Sequence, residues 1–250
     1  MGMEHRITGP APSEQDCSAD KWVRETGFGR WFLGTGIWRE YVLAEALDKL
    51  KRMAPRQPAV AAHILDIGCG QGMALPLLDA AFAPRRITGI DIDADLIKIG
   101  RQKIGAETTA ELILEQGSAT KIALADGSVD MVLCHQVLHH MVQQRDALAE
   151  MYRVLRPGGL LFLAESCRCF IESSVVRALF RHPCEAQRSA ADYLQLVRDV
   201  GFQLGRKTVL TESPWWSRPD LGLGQRLGIP QARGGVQEPS EVSCVAVKAP

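Results

Sequence analysis

One cysteine and three histidines lie within nine residues of this 250-residue chain, in the segment LCHQVLHHM at 133–141. Histidine titrates near neutral pH, so a neutral imidazole there can accept a proton, bind a metal or simply pack. Structural zinc sites usually carry paired ligands such as C-x-x-C, and this spacing is missing from the sequence. We therefore expect no bound metal, and a zinc site built on Cys134, His135 and His139 is the less favoured alternative.

A glycine-rich segment, ILDIGCGQG at 64–72, follows an apolar run and carries an acid two residues before its first glycine. Glycines let the backbone approach a ligand closely and adopt positive φ, and the amides of a following helix can face a polar group. A second acid, Asp91 in GIDID, can accept hydrogen bonds from ribose hydroxyls. The G-x-G-x-G spacing differs from the G-x-G-x-x-G of dinucleotide enzymes, which disfavours an NAD-dependent dehydrogenase.

Alternating strands and helices must position these residues. Short apolar runs alternate with helical stripes, which predicts βαβ units and a parallel sheet whose ligands bind at the carboxyl ends of its strands. The predicted strands are 63–67, 86–91, 111–116, 129–134 and 160–165, and the predicted helices are 38–53, 72–82, 93–104 and 142–155.

The final third of the chain is less regular. Residues 191–202 have helical periodicity, and 203–210 and 242–248 alternate as strands do. The stretch 212–241 between them lacks periodicity, which is typical of a lid or binding loop, with a disordered insertion as the alternative.

The composition limits the possible functions. Lys+Arg and Asp+Glu both number 29, a balance that argues against a general polyanion binder. Apolar runs are too short for a membrane helix, residues 1–20 are polar and predict a flexible tail, and seven cysteines lack a disulfide framework. We therefore expect a cytoplasmic protein with reduced thiols, no membrane span and no nucleic-acid partner.

Four motifs together resemble those of the class I S-adenosylmethionine-dependent methyltransferases, particularly the enzymes that act on small molecules such as quinone precursors. They are ILDIGCGQG, GIDID, GSVDMVLCHQVLHHM and RVLRPGGLLFLAES, in that order, over residues 63 to about 166. The resemblance implies an α/β, doubly wound, mostly parallel seven-stranded sheet with an antiparallel last strand and N-terminal cap helices. It implies one methyltransferase domain at 21–250, with a cap (21–58), a cofactor-binding core (59–166) and a part carrying substrate-side helices, lid and final strands (167–250).

The resemblance also implies residues that bind S-adenosylmethionine. Asp66 and the turn at 68–72 would contact the methionine part, Asp91 the ribose, and Ile92 the adenine. At the place where the family often has an acid for the adenine amino group, this chain has Ser118 and Ala119 instead. The implied cofactor set is Asp66, Gly68, Cys69, Gly70, Gly72, Asp91, Ile92, Ser118, Ala119 and His135.

The acceptor side is expected to involve His139, which we predict to lie near the transferred methyl and accept a proton or orient the substrate. Neighbouring helical positions diverge by about a hundred degrees, so His140 is expected to pack structurally. Glu165 ends the fifth strand and is predicted to face the same cleft. Trp31, Trp215 and Trp216 are the aromatic candidates for substrate contact.

The predicted activity is in-line methyl transfer to a small organic acceptor through oxygen, nitrogen, sulfur or carbon, by a monomer or homodimer. The alternatives are a methyltransferase that acts on RNA or protein, and a non-catalytic regulatory module that binds S-adenosylmethionine.

Overall fold

The computed structural model describes residues 23–56, 62–103, 108–214, 217 and 238–249. The predicted tail at 1–20, most of the segment 212–241, and both Trp215 and Trp216 lie outside the described residues.

Seven strands form one sheet in the order β3-β2-β1-β4-β5-β7-β6. Strands β1 to β5 run parallel, and β7 lies antiparallel between β5 and β6, which confirms the predicted doubly wound sheet. The strands are β1 His63–Ile67, β2 Arg86–Asp91, β3 Glu111–Gln116, β4 Val129–His135, β5 Leu155–Ser166, β6 Phe202–Glu212 and β7 Glu241–Lys248.

Eight α-helices accompany the strands in the described part of the chain. They are α1 Gly27–Phe32, α2 Ala44–Met53, α3 Leu75–Phe82, α4 Ala94–Lys103, α5 Gln144–Val154, α6 Arg168–Ile171, α7 Ser174–Leu179 and α8 Ala190–Val200. A π-helical turn at Trp38–Leu43 leads directly into α2, and short 3₁₀ turns occupy Leu138–His140 and Cys184–Ala186. None of these helices has the length and apolar character needed to cross a bilayer.

The core lies on both faces of the sheet. Helices α5 and α8 cover one face with side chains such as Met151 and Tyr193, while α2, α3 and α4 cover the other with side chains such as Leu50 and Leu78. Consecutive residues of β4 alternate between the two clusters, so its apolar run is buried on both faces. This packing holds the carboxyl ends of the parallel strands at one edge of a rigid sheet.

Two helices begin later than the sequence pattern predicts. The predicted 72–82 helix starts only at Leu75, because Gly72 has φ +75° and belongs to the preceding turn. The predicted 142–155 helix starts at Gln144, after the 3₁₀ turn that contains His139 and His140.

Candidate active site

A cavity of about 320 Å³ opens at the carboxyl ends of the parallel strands, beside the point where the strand order reverses between β1 and β4. The turns that follow β1, β2, β3 and β4 all contribute to its wall, as does the segment before α1. This is where ligands bind in open α/β sheets. Among the described residues its lining includes Val23, Glu25, Leu33, Gly68, Gly70, Asp91, Ile92, Ser118, Ala119, Thr120, Gln136, His140 and Met141.

The turn after β1 forms a backbone cradle on the cavity wall. Gly68, Gly70 and Gly72 have φ of +65°, +53° and +75°, in the left-handed region that favours glycine. A Cβ on Gly68 would meet Val137 Cγ2 at 2.5 Å, so only glycine fits there. A Cβ on Gly70 would meet no atom within 4 Å, so that position faces open space.

Asp91 ties this turn to the second strand. Its Oδ2 accepts a hydrogen bond from Gly70 N (2.8 Å) and its Oδ1 accepts one from Asp93 N (2.8 Å). Burial raises the pKa of Asp91, while the same backbone amides lower it. Each carboxylate oxygen keeps a lone pair for a further donor, so the side chain can still accept two ribose hydroxyls at the cavity wall.

Asp66 lies beneath the turn, 3% exposed, and does not line the cavity. Its Oδ2 is buried and has no hydrogen-bond partner among the described residues. Burial, followed by the charge of Asp91, raises the pKa of Asp66 to about 8. This buried carboxyl oxygen lies below the glycine turn and can accept a hydrogen bond from the ammonium group at the methionine end of S-adenosylmethionine.

The adenine side of the cavity is only partly as expected. Ile92 is 41% exposed at the cavity, and a flat apolar ring can pack on it. Ser118 lines the cavity, but its hydroxyl already bonds Thr120 Oγ1 (2.8 Å) and accepts from Thr120 N (3.2 Å). Cys69 and Gly72 do not line the cavity, and the Cys69 side chain packs against Gly89.

The two adjacent histidines are placed opposite to the prediction. His139 is 3% exposed, does not line the cavity, and directs its Nδ1 to Glu165 Oε2 at 2.7 Å. His140 lines the cavity. Residues 138–140 form a 3₁₀ turn, which is held by hydrogen bonds to Glu165 of β5. The side-chain directions that we expected for an α-helix therefore do not apply to these residues.

Glu165 holds that turn and does not face the cleft, which corrects the predicted substrate role. It is fully buried, and its Oε1 accepts hydrogen bonds from Val137 N and Leu138 N at 2.8 Å each. Burial raises the pKa of Glu165 to about 8, against the lowering effect of these amides. Its contacts are those of a residue that fixes the backbone after β4.

Two further expected residues also lie away from the cavity. His135 packs against Trp38, with ring centroids 5.6 Å apart and ring planes tilted by 58°, and burial lowers the pKa of His135 to about 3. Trp31 is 63% exposed and packs against Phe28. Cys134 directs its thiol to Glu165 Oε1 (3.8 Å), and among the described residues neither Cys134 nor His135 belongs to a group of side chains that could hold a metal ion with His139.

Glu25 and His182 are site residues that the sequence did not indicate. Glu25 lines the cavity, its Oε1 lies 3.7 Å from His140 Nδ1, and burial raises its pKa to about 7. His182 follows α7, and its ring centroid lies 4.7 Å from that of His140. Neither position belongs to a motif with recognisable spacing, so no sequence signal grouped them with 133–141.

Comparison with known proteins agrees with this geometry. A methyltransferase-domain family matches residues 65–163. An O-methyltransferase of Penicillium expansum is 28% identical over 79% of this chain and 74% of its own length. A demethylmenaquinone methyltransferase of Symbiobacterium thermophilum is 36% identical over 43% of this chain, which spans only 44% of that relative. An S-adenosylmethionine-dependent methyltransferase structure from Aquifex aeolicus superposes with a TM-score of 0.62 at 16% identity, over 88% of this chain and 97% of that one.

Residues 65–163 thus match a methyltransferase domain, the fold is that of solved S-adenosylmethionine-dependent methyltransferases, and S-adenosylmethionine is the cofactor that these matches support. The glycine cradle, the orphaned Asp66 Oδ2 and the cavity-facing Asp91 fit that group. When bound, the cofactor supplies an electrophilic methyl group on a sulfonium.

Replacing Asp91 with alanine is expected to weaken S-adenosylmethionine binding by roughly tenfold to a hundredfold. Two ribose hydroxyls lose their acceptor, and the amide of Gly70 loses the bond that fixes the turn, a total on the order of 1–3 kcal/mol. Isothermal calorimetry measures the affinity, and thermal unfolding verifies that the variant is folded. Wild-type affinity in a folded Asp91→Ala protein would show that the ribose is held elsewhere.

The stability of the cofactor-free protein is expected to fall as the pH rises from about 6.5 to 8. The pKa values of Asp66 and Glu165 are raised to about 8 in the folded protein. In this pH range both carboxyls are therefore protonated when the protein is folded and ionised when it is unfolded. Raising the pH favours the state with fewer bound protons, which is the unfolded one. Below pH 6.5 two buried histidines act in the opposite direction. Burial lowers the pKa values of His135 and His139, so these rings bind a proton only in the unfolded chain, and this contribution makes stability fall as the pH falls.

Urea denaturation across this pH window tests the effect. Asp66→Asn should flatten the slope by up to about 1.4 kcal/mol per pH unit, the contribution of one proton. Asp146→Asn, at an exposed position of α5, is the matched control and should keep the wild-type slope. Equal slopes in both variants would exclude Asp66 as a source of the pH dependence.

Proposed function

We propose that the protein transfers a methyl group from S-adenosylmethionine to an oxygen of a small organic acceptor by in-line displacement. The observation that carries this proposal is a single cavity lined both by Gly68, Gly70 and Asp91 and by Glu25 and His140. A cofactor bound along the first group therefore shares its cavity with polar side chains that can meet an acceptor. The O-methyltransferase relative, which aligns over most of the chain, supports oxygen as the acceptor atom.

The cavity and the charge balance support a small acceptor. Its volume of about 320 Å³ lies within the range of roughly 300–1,000 Å³ that is usual for small-molecule sites. The chain has equal numbers of basic and acidic residues, whereas RNA-binding surfaces gain affinity from clustered positive charge.

His140 replaces His139 as the residue that we propose to meet the acceptor. It lines the cavity, and burial lowers its pKa well below the ordinary value, so its imidazole is neutral near pH 7. A neutral imidazole accepts a proton or a hydrogen bond from a hydroxyl that attacks the methyl group. The rest of the cavity wall orients the two reactants and excludes water, which is most of what this reaction requires of a protein.

Radiolabelled S-adenosylmethionine, incubated with the protein and a fractionated cell extract, tests the proposal. We expect label in hydroxylated small molecules, and a loss of at least about a hundredfold in kcat/KM for His140→Ala with cofactor affinity unchanged. His63→Ala is the matched control, because His63 starts β1 at the opposite edge of the sheet. Label in RNA or protein would overturn the substrate class. Cofactor binding without transfer to any fraction would support the regulatory alternative.

A further inference from the structure

Three histidines converge beside the cavity. Each of His139, His140 and His182 offers a ligand atom, and these atoms lie within 4.8 Å of one another. The three ring centroids are 4.3, 4.7 and 5.0 Å apart. We propose that they bind one divalent transition-metal ion of the zinc type, with the Glu25 carboxylate as a fourth ligand.

The carboxylate already lies near its place in such a site. Glu25 Oε1 is 3.7 Å from His140 Nδ1 and 4.0 Å from His182 Nε2. Zinc–nitrogen and zinc–oxygen bonds of about 2.0–2.1 Å at tetrahedral angles place neighbouring ligand atoms about 3.4 Å apart. Closing the cluster onto an ion therefore requires movements on the order of 1 Å or less.

The outer contacts of the histidines are those of metal ligands. A metal-binding histidine almost always directs its second ring nitrogen to a carboxylate or a backbone carbonyl. His139 Nδ1 lies 2.7 Å from Glu165 Oε2, so when Nδ1 carries the proton its Nε2 is free for the cluster. The His140 ring donates a hydrogen bond to the backbone of Arg181.

Burial supplies the low solvent access that a tight site needs. The side chains of His139 and His182 are 4% and 8% exposed, and that of Glu25 is 11% exposed. His140 is more open at 22%, on the side of the cavity. Imidazole and carboxylate ligands suit zinc, and a zinc ion with four protein ligands can take a substrate oxygen as a fifth.

The proposed site revises our expectation of no bound metal. That expectation rested on Cys134, His135 and His139, which are close together in the sequence. Cys134 and His135 point elsewhere, whereas His182 comes from the loop after α7 and Glu25 from the segment before α1. The fold assembles the ligands from three separate parts of the chain.

The ion's role rests on the proposed function. Since Glu25 and His140 line the cavity, the ion faces the acceptor and can bind its hydroxyl oxygen, lowering the pKa of that hydroxyl. With His140 bound to the ion, the ion takes the part proposed above for the free imidazole, and the hydroxyl proton passes to water instead of to His140. The oxygen lone pair then forms the O–CH₃ bond as the S–CH₃ bond breaks, and that bond's electron pair stays on sulfur.

Metal binding can be measured without cofactor or acceptor, on full-length protein freed of any purification tag. After equilibration with zinc and dialysis, we expect about one zinc per chain, and a cobalt-substituted sample should show the visible absorption of a tetrahedral site. His182→Ala should weaken zinc binding by roughly a hundredfold or more, and Glu25→Gln by about tenfold. His63→Ala, outside the cluster, should keep wild-type affinity.

The outcomes separate this proposal from the proposed function. Zinc affinity that is the same in wild type and His182→Ala overturns the site, whatever the activity. Methyl transfer that persists in metal-free protein and does not respond to added zinc also overturns it, and leaves the proposed function standing. Stoichiometric zinc that depends on His182, in a protein that transfers no methyl group, supports the site and overturns the proposed function.

Discussion

Gly70→Val is expected to reduce S-adenosylmethionine binding more than about a hundredfold while leaving a folded protein. Gly70 has φ +53°, and a Cβ there meets no protein atom within 4 Å, so the new side chain does not clash with the fold. It extends into the open space of the cavity wall, where the cofactor must approach the backbone. The left-handed backbone adds a strain of roughly 1–2 kcal/mol, which a domain of ordinary stability tolerates.

Gly127→Val separates strain from steric exclusion. Gly127 has a similar φ of +61°, lies in the exposed turn before β4, and has no atom nearer than 3.8 Å to a built Cβ. Both variants should lose similar stability in thermal unfolding, whereas only Gly70→Val should lose cofactor binding in calorimetry. If the two variants bind the cofactor equally well, the cofactor does not lie against this turn.

The sequence predicts the sheet well because its signals are local. Each parallel strand contains an apolar run, β1 and β3 are followed by a glycine and β2 ends at an acid, and β2 and β3 match their predicted bounds residue for residue. The antiparallel final pair followed from the family resemblance, since alternation alone does not give strand direction. Errors of two to three residues occur where turns delay a helix, at Leu75 and Gln144.

The site was predictable only in part. Gly68 and Gly70, which follow β1, and Asp91, which ends β2, line the cavity, because a parallel sheet brings the carboxyl ends of its strands to one edge. The predicted directions of His139 and His140 were wrong, since the turn that carries them is held by hydrogen bonds to Glu165, 26 residues beyond His139. Glu25 and His182 reach the site through segments whose path is set by tertiary packing, which periodicity cannot reveal.

Glu165→Ala is expected to lower the free energy of unfolding by about 3–5 kcal/mol, because several buried polar groups lose their hydrogen-bond partner. Glu165 is fully buried, accepts hydrogen bonds from Val137 N and Leu138 N, and pairs with His139 Nδ1. Alanine leaves three buried polar groups without a partner, and each such group costs about 1–3 kcal/mol. The loss is a large fraction of the 5–15 kcal/mol that is typical of a domain.

Glu165→Gln distinguishes the hydrogen bonds from the volume of the side chain. The glutamine oxygen can still accept from Val137 N and Leu138 N, and its amide can donate to His139 Nδ1 once that ring changes tautomer. We therefore expect a loss of only about 1 kcal/mol in urea denaturation, while Glu115→Ala, at an exposed position of β3, should change stability by less than about 0.5 kcal/mol. Equal losses for alanine and glutamine would mean that Glu165 stabilises the turn by filling space, and the histidine directions would then need another cause.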